Sequence, residues 1–187
     1  MIYFTSDLHL GHCAVLSMQE GRLFKTVEEM NEAFIESFNK IVQNNDTVYI
    51  LGDLCYRIPV EEANALIKRL HGKKYLIRGN HDRKYDESLF EEVSDYKEIS
   101  YNKKRFILMH YPLLSWKTMR FGSYMLHGHI HSEGIYNQNN RDQGLRRYDV
   151  GVDANNYRPI SIEEIISYFE GYELFHFDDH DIKETGF

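Results

Sequence analysis

The chain has 187 residues, of which 42% are hydrophobic and 27% are charged, and its formal net charge is −7. This length and composition are typical of one domain with a buried core, so we predict a single domain over residues 1–187. The acidic balance argues against a general DNA- or RNA-coating protein, which needs a basic face. It is compatible with a small phosphorylated substrate, because bound metal can reverse the charge locally.

The cysteines and the start of the chain bear on its compartment. Cys13 and Cys55 form no paired motif, which suits a reducing cytoplasm. The opening MIYFTSDLHL lacks the basic start and long apolar core of a signal peptide. No stretch approaches the ~18 apolar residues of a transmembrane helix. We therefore expect a cytoplasmic protein without a membrane partner, and the sequence leaves its oligomeric state open.

The first half of the chain predicts alternating strands and helices. Apolar runs predict strands at 1–7, 46–53 and 73–82, and helical spacing of apolar residues predicts helices at 26–43 and 59–72. This βαβαβ order predicts parallel strands with right-handed crossovers. Functional sites in such sheets lie at the carboxyl ends of the strands.

The second half has a different pattern. It predicts a hairpin at 95–112, strands at 123–131 and 146–153, and a closing helix at 161–171. The polar, Gly- and Asn-rich segment 132–147 is expected to be a mobile loop. From the residues alone, the fold class is α/β, with a parallel half and a more antiparallel half. The acidic tail after these elements is expected to be a surface end.

Polar side chains with metal-binding groups stand where each of five apolar strands becomes a loop. They are Asp7 and His9, Asp53, Asn80 and His81, His110, and His129 and His131. A single strand-end aspartate most often caps a turn or a helix. Because the same change from apolar to metal-binding residues occurs in five segments, we interpret it as one shared feature. We therefore expect these side chains to converge on one edge of a sheet.

The residue types favour a pair of hard or intermediate metal ions. Carboxylate and amide oxygens suit hard cations, and imidazole suits iron, zinc and manganese. Cys55, beside Asp53, is the only nearby thiol, which disfavours a structural thiolate zinc site. Seven ligands are too many for one ion but suit two, and a carboxylate can bridge ions about 3.5–4 Å apart in phosphoryl hydrolysis. Two divalent ions would leave the pocket positive and attract phosphate.

The ordered motifs resemble those of the calcineurin-like metallophosphoesterase family. They are Asp7-Leu-His9, Gly52-Asp53, Gly79-Asn-His-Asp82, His110 and Gly128-His-Ile-His131. Residues 148–161, YDVGVDANNYRPIS, resemble a small, cap-less bacterial branch of that family. The resemblance implies a four-layer αββα sandwich, in which two mixed sheets are flanked by helices.

The resemblance also implies roles for the site residues. Each of two metal ions would have three ligands of its own: Asp7, His9 and His131 for the first, and Asn80, His110 and His129 for the second. Asp53 would bridge the ions, and a metal-bridging hydroxide would attack phosphorus. His81 would protonate or stabilise the leaving oxygen, and Asp82 would orient its ring. Manganese is expected, and iron, zinc, nickel and cobalt also suit these ligands.

Other side chains near the motifs have two interpretations each. Arg57 and Arg78 partly resemble the phosphate-gripping arginines of the Ser/Thr protein phosphatases, although Tyr56 replaces an aspartate of that pattern. We predict Arg57 as a substrate contact, with a surface arginine as the alternative. His12 would either touch substrate or line the rim, and His127 would be a packed histidine or support a ligand.

Two aspartates late in the chain, Asp149 and Asp153, are expected at a strand end or turn, and Asp149 is the candidate to orient a ligand histidine.

The predicted function is a two-metal phosphoesterase acting on a phosphodiester or a small phosphorylated metabolite. The alternatives are a phosphomonoesterase, including a protein phosphatase, and a non-catalytic metal-bound binding module. The complete ligand set with His81 argues against the last.

Overall fold

The computed structural model describes residues 1–19 and 21–174, which fold around two mixed β-sheets. The first sheet consists of five strands: β1 (Ile2–Thr5), β2 (Thr47–Ile50), β3 (Lys73–Ile77), β4 (Glu92–Ser94) and β9 (Ile160–Ser161). Their order is β4-β3-β2-β1-β9. Strands β1 to β4 are parallel, as the βαβαβ pattern predicts for the first three, and β9 is antiparallel to β1.

The second sheet also mixes parallel and antiparallel pairs. Its strands, in spatial order, are β5 (Lys97–Tyr101), β6 (Lys104–Leu108), β7 (Tyr124–His127) and β8 (Arg147–Asp149). The predicted hairpin is confirmed as the antiparallel pair β5–β6, but β6, β7 and β8 run parallel. The second half is the more antiparallel one, as expected, because both antiparallel pairs, β5–β6 and β1–β9, involve its strands. Segments 109–123 and 128–146 are long enough for the crossover connections of its parallel pairs.

Five α-helices connect or follow these strands: α1 (Val15–Met18), α2 (Val27–Ile41), α3 (Val60–Lys68), α4 (Ile135–Asp142) and α5 (Ile162–Tyr168). Helices α2, α3 and α5 lie where the apolar spacing predicts them. Ser161 and Glu164 form a complete capping box at the start of α5. None of the helices in the described part of the chain is long and apolar enough to cross a membrane.

Helix α4 replaces the mobile loop predicted for residues 132–147. Two of its polar side chains, Asn137 and Asn140, are buried and hydrogen-bonded rather than solvated. Asn137 exchanges two with the backbone of Asp149, at 2.7 and 3.0 Å. Asn140 Oδ1 accepts one from Arg147 Nη2 at 2.9 Å. Polar composition therefore gave the wrong prediction, because these amides pair with residues of β8 instead of with water.

Three apolar clusters define four layers. Residues of α2 and α3, among them Phe34 and Ile67, cover the outer face of the first sheet. Phe4 and Ile77 meet Phe106 and others of the second sheet in the core between the sheets. Trp116 packs on the far side of the second sheet, the side that α4 also flanks through β8. The predicted αββα fold class is confirmed, and the predicted surface tail, residues 176–187, lies outside the described residues.

Candidate metal centre

The carboxyl ends of the parallel strands meet at one edge, where the predicted site residues lie. Thr5 of β1 pairs with Ile50 of β2, and Ile50 pairs with Leu76 of β3, so these strands end side by side. The loops continue together beyond them. The amide of Asp7 donates to Gly52 O at 3.0 Å, and the amide of His9 donates to Asp53 O at 3.0 Å. Sheet register therefore fixes the separation of the first two motifs.

The first predicted set of ligands converges. Donor atoms of Asp7, His9 and His131 lie within 4.8 Å of one another. The Nε2 atoms of His9 and His131 are 3.2 Å apart, and His131 Nε2 lies 3.8 Å from Asp7 Oδ1. Asp7 and His9 are buried, and His131 is half-buried. The three side chains form one group of oxygen and nitrogen donors, here called the first donor group.

The second predicted set also converges. Asn80 Oδ1 lies 2.9 Å from His110 Nε2 and 3.0 Å from His129 Nδ1. His110 Nδ1 lies 2.8 Å from the carbonyl oxygen of Leu51, to which it donates, so its Nε2 presents a lone pair to the site. Asn80, His110 and His129 form the second donor group.

Asp53 lies between the two groups. Its Oδ2 is 3.6 Å from Nε2 of His9 and 3.6 Å from Nε2 of His110. Donor atoms of Asp7, Asp53 and His110 also lie within 4.8 Å of one another. Its other oxygen, Oδ1, accepts a hydrogen bond from the amide of His81 at 2.9 Å. One oxygen of Asp53 thus faces both groups, as a bridging ligand would.

The chemistry of this cluster fits divalent metal ions. Burial raises the pKa of Asp7 to about 8. Burial, followed by the proximity of His131, lowers the pKa of His9 to about 2. A cation would reverse the desolvation cost of Asp7 and bind the lone pairs that point into the cluster. Oxygen and imidazole donors without a thiolate are the set that manganese, iron and zinc accept.

The backbone at the site is strained in a repeated way. Five of the seven predicted ligands have positive φ angles, between 47° and 75°: Asp7, His9, Asp53, His129 and His131. Residues other than glycine adopt this conformation rarely, at a cost of roughly 1–3 kcal/mol each, and such residues cluster at functional sites. Strand β7 ends at His127, so His129 and His131 project from a loop and not from a strand.

Two glycines let backbone approach the carboxylates closely. A Cβ on Gly79 would lie 2.2 Å from Asp53 Oδ1 and 2.6 Å from its amide nitrogen. A Cβ on Gly128 would lie 2.3 Å from Asp7 Oδ2. All three distances are below any real Cβ contact, so each position accepts only glycine without displacing a predicted ligand.

The family resemblance implied that Asp82 orients the His81 ring, but the contacts of Asp82 are different. Its carboxylate accepts hydrogen bonds from the amides of Asp53 and Leu54, both at 2.9 Å, and of Gly79 at 2.8 Å. A fourth comes from the hydroxyl of Tyr85 at 2.9 Å. Both oxygens are therefore occupied, and Asp82 joins the loop after β2 to the loop after β3.

Asp153, not Asp149, contacts a histidine that is predicted to be a ligand. Its Oδ2 lies 2.7 Å from Nδ1 of His131. Asp149 instead accepts from Ser132 and from the amide of Gly151. Although burial raises the pKa of Asp153, hydrogen bonds from His131 and Arg22 outweigh it and lower that pKa to about 2. Asp153 is therefore a charged acceptor, and its partner Arg22 is a site residue that no sequence pattern marked.

A family comparison agrees with this geometry. The family model described as calcineurin-like phosphoesterase matches residues 1–182. The chain belongs to this family. It is thus a phosphoric ester hydrolase of a divalent-metal-dependent family, and its clustered aspartates and histidines are candidate metal ligands.

Relatives of this calcineurin-like phosphoesterase have nearly the same length. An uncharacterized protein of Methanocaldococcus jannaschii is 34% identical over 170 residues, covering 90% of this chain and 91% of the relative. The gene 66 protein of Mycobacterium phage L5 is 29% identical and covers 81% and 86% of the two chains. A crystal structure of an Aquifex aeolicus protein of unknown function superposes with a TM-score of 0.71 at 30% identity, covering 89% and 98%.

The rim of this calcineurin-like phosphoesterase site is aromatic and basic. His81 is exposed, and Tyr56 meets its ring at a right angle, with centroids 4.6 Å apart. The Arg57 guanidinium lies over the Tyr56 ring at 4.9 Å. His12 lies 3.9 Å from that ring and 5.5 Å from His9, between centroids, so it lines the rim.

Two further side chains lie away from the rim. Arg78 lies 3.8 Å from a Glu87 oxygen and 3.5 Å from an Asp95 oxygen, so acidic neighbours already engage its guanidinium. His127 is fully buried and packs edge-on against Tyr136, as the packed-histidine interpretation expects.

Proposed function

We propose that the protein hydrolyses a phosphodiester or a small phosphorylated metabolite at a centre of two divalent ions that share Asp53. The position of Asp53 carries the proposal, because its Oδ2 faces both donor groups at 3.6 Å. Bound ions would supply a water of lowered pKa and neutralise the charge of the phosphoryl oxygens. The small phosphorylated substrate is compatible with the acidic chain because the ions, not the protein surface, would provide the positive field.

The two donor groups would each hold one ion. Asp7, His9 and His131 would bind the first, and Asn80, His110 and His129 would bind the second. We favour manganese since the set combines oxygen and imidazole donors; iron, zinc, nickel and cobalt suit it as well. Asn80 provides a neutral oxygen, which preserves the positive charge that a phosphate needs.

His81 is proposed as the general acid. Its amide is fixed to Asp53 at 2.9 Å, which places the residue beside the centre. Its ring is exposed and makes no hydrogen bond to another side chain within the described residues. An imidazole that is anchored through its backbone and free at its ring is suited to give a proton to the leaving oxygen.

Arg57 is proposed as a substrate contact on the same side. Its guanidinium is exposed, stacks over Tyr56 and has no carboxylate partner among the residues that the structure describes. A planar set of donors in that position can bind a phosphoryl oxygen in a forked geometry. The Tyr56 ring would limit the directions in which the guanidinium can point.

A diester is favoured because each donor group has an aromatic neighbour. The Tyr56 ring centroid lies 5.8 Å from that of His9 in the first group. The Tyr111 ring centroid lies 4.7 Å from that of His129 in the second. Tyr111 is 40% exposed, so its surface is accessible. The two ester groups of a diester could each contact one ring, whereas a monoester has only one such group.

The unpaired cysteines favour a cytoplasmic setting.

The test compares bis-p-nitrophenyl phosphate with p-nitrophenyl phosphate, with Mn²⁺ or other divalent ions and with a chelator. We expect chelator-sensitive turnover and a preference for the diester. The matched control is Asp53→Asn, which keeps the shape of the side chain but removes the shared charge. A preference for the monoester would favour a phosphomonoesterase or a protein phosphatase. No turnover of either ester with any of the ions would favour a binding module.

A further inference from the structure

Arg22 is buried at the back of the first donor group. Its side chain is the largest of the fully buried ones, with 1% of the residue exposed, although arginine is almost never fully buried without a partner. The guanidinium binds two backbone carbonyls: Nη2 donates to Asp7 O at 2.6 Å, and Nη1 donates to Leu8 O at 3.1 Å. These carbonyls belong to the loop that carries two of the predicted ligands.

The same guanidinium makes a forked pair with a carboxylate. Arg22 Nε donates to Asp153 Oδ1 at 2.8 Å, and Nη2 donates to Asp153 Oδ2 at 2.9 Å. Asp153 Oδ2 also accepts from His131 Nδ1 at 2.7 Å. In its neutral, metal-binding form with the proton on Nδ1, His131 presents a lone pair on Nε2, which is the atom 3.2 Å from His9 Nε2.

All three members of the first donor group are thus connected to one guanidinium. Asp7 is held through its own carbonyl, His9 through the carbonyl of the preceding Leu8, and His131 through Asp153. Asp7, His9 and His131 all have positive φ angles, so their conformation depends on such external contacts.

The second donor group has no equivalent connection among the described residues. There His110 Nδ1 donates to a neutral acceptor, the carbonyl oxygen of Leu51, at 2.8 Å. A charged carboxylate makes an imidazole a stronger metal ligand than a carbonyl does, and fixes its ring more firmly. The two donor groups therefore differ in the charge that supports them.

We propose that Arg22 and Asp153 are positioning residues that set the affinity of the first metal site and leave the second site almost unaffected. This inference rests on the proposed two-ion centre. Neither residue touches the substrate. They act by keeping His131 in one tautomer and by holding the strained loop of Asp7 and His9 in place.

The experiment measures Mn²⁺ binding to the metal-free, full-length chain by calorimetric titration. Asp153→Asn removes the charge of the acceptor, and Arg22→Lys keeps the positive charge but loses the fork. We expect one of two binding steps to weaken by about 10–100-fold in each variant, with the other step unchanged. Nitrogen NMR of the imidazoles should show the Nδ1–H form of His131 less populated in Asp153→Asn than in the wild type.

The matched control is the exposed forked pair of Arg69 and Glu32, in which Nη1 and Nη2 contact the two carboxylate oxygens at 2.7 and 2.5 Å. Arg69→Lys should leave both binding steps unchanged. If Asp153→Asn fails to fold, as judged by circular dichroism, Arg22→Lys gives the answer alone, because it leaves no uncompensated buried charge.

Two results would overturn the inference: both steps unchanged in the folded variants, or both steps weakened equally. A wild-type chain that binds no Mn²⁺ would instead refute the proposed function. The two failures are therefore distinguishable. Excess Mn²⁺ should also restore kcat of Asp153→Asn. If Asp153 acted directly on the substrate, excess Mn²⁺ would not restore kcat.

Discussion

The Nε2 atoms of His9 and His131 face each other at 3.2 Å, with their rings stacked at a centroid distance of 5.0 Å. His131 Nδ1 donates to Asp153, and burial lowers the pKa of His9 to about 2, so the His9 ring presents nitrogen and not positive charge at neutral pH. At most one proton fits between them. A metal ion would bind both nitrogens together with the neighbouring Asp7 carboxylate, which is why this pair makes the first donor group a candidate metal site.

His81→Ala should lower kcat by about 10²–10⁴-fold, the usual contribution of a general acid, with two Mn²⁺ ions still bound per chain. The ring makes no hydrogen bond to another side chain in the described part of the chain, so its removal leaves the ligands in place. Steady-state kinetics and metal content measured on the same sample decide this. A variant that loses metal would show that His81 is a ligand and not the acid.

Arg57→Ala should raise KM by several-fold with little change in kcat, since the guanidinium would contact substrate equally in the ground state and the transition state. The matched control is Arg78→Ala. Arg78 directly precedes the Gly79-Asn-His-Asp82 motif, but Glu87 and Asp95 engage it. Equal kinetics of the wild type and both variants would remove Arg57 from the site.

Asp82→Asn should destabilise the protein by about 2 kcal/mol, because the amide nitrogen replaces an oxygen that accepts two of the four hydrogen bonds and would face an N–H group instead. Urea denaturation of the metal-free chain measures this loss. The control, Asp86→Asn, changes an exposed carboxylate that accepts from Ser88 alone among the residues that the structure describes, and it should cost less. A loss of activity without a loss of stability would restore the role of Asp82 in orienting His81.

Mn²⁺ should raise the melting temperature more at pH 8 than at pH 6. Burial raises the pKa of Asp7 to about 8, so its contribution to the stability of the metal-free chain is present below the unfolded pKa of about 4 and is lost as the pH rises through 8. A metal ion needs the carboxylate and competes with the proton, so binding strengthens over the same interval. Melting curves with and without Mn²⁺ at both pH values test this, and an equal gain at both would contradict it.

Much of the site could be predicted from the sequence. Parallel strands such as β1 and β2 place their carboxyl ends at one edge, so Asp7 and Asp53 had to meet once the βαβαβ pattern was recognised. The family resemblance also implied different roles for the adjacent residues Asn80 and His81. In the structure, Asn80 lies in the second donor group and His81 lies at the rim.

The missed features depend on contacts that local sequence does not encode. Asp149 and Asp153 are four residues apart in the same predicted strand end, and only the three-dimensional turn between them decides which one reaches His131. Arg22 lies in a segment without periodicity, and its partner is 131 positions later in the chain. The α4 asparagines looked solvated because side-chain polarity does not reveal that Asn137 pairs with β8.

The central claim is that two ions share Asp53, and a count of bound Mn²⁺ ions tests it most directly. The metal-free wild type and the variants Asp53→Asn and His129→Ala would be titrated by calorimetry. The wild type should bind two ions per chain, Asp53→Asn should weaken both steps, and His129→Ala should weaken only one. One ion or none in the wild type, or two undisturbed steps in Asp53→Asn, would contradict the shared two-ion centre.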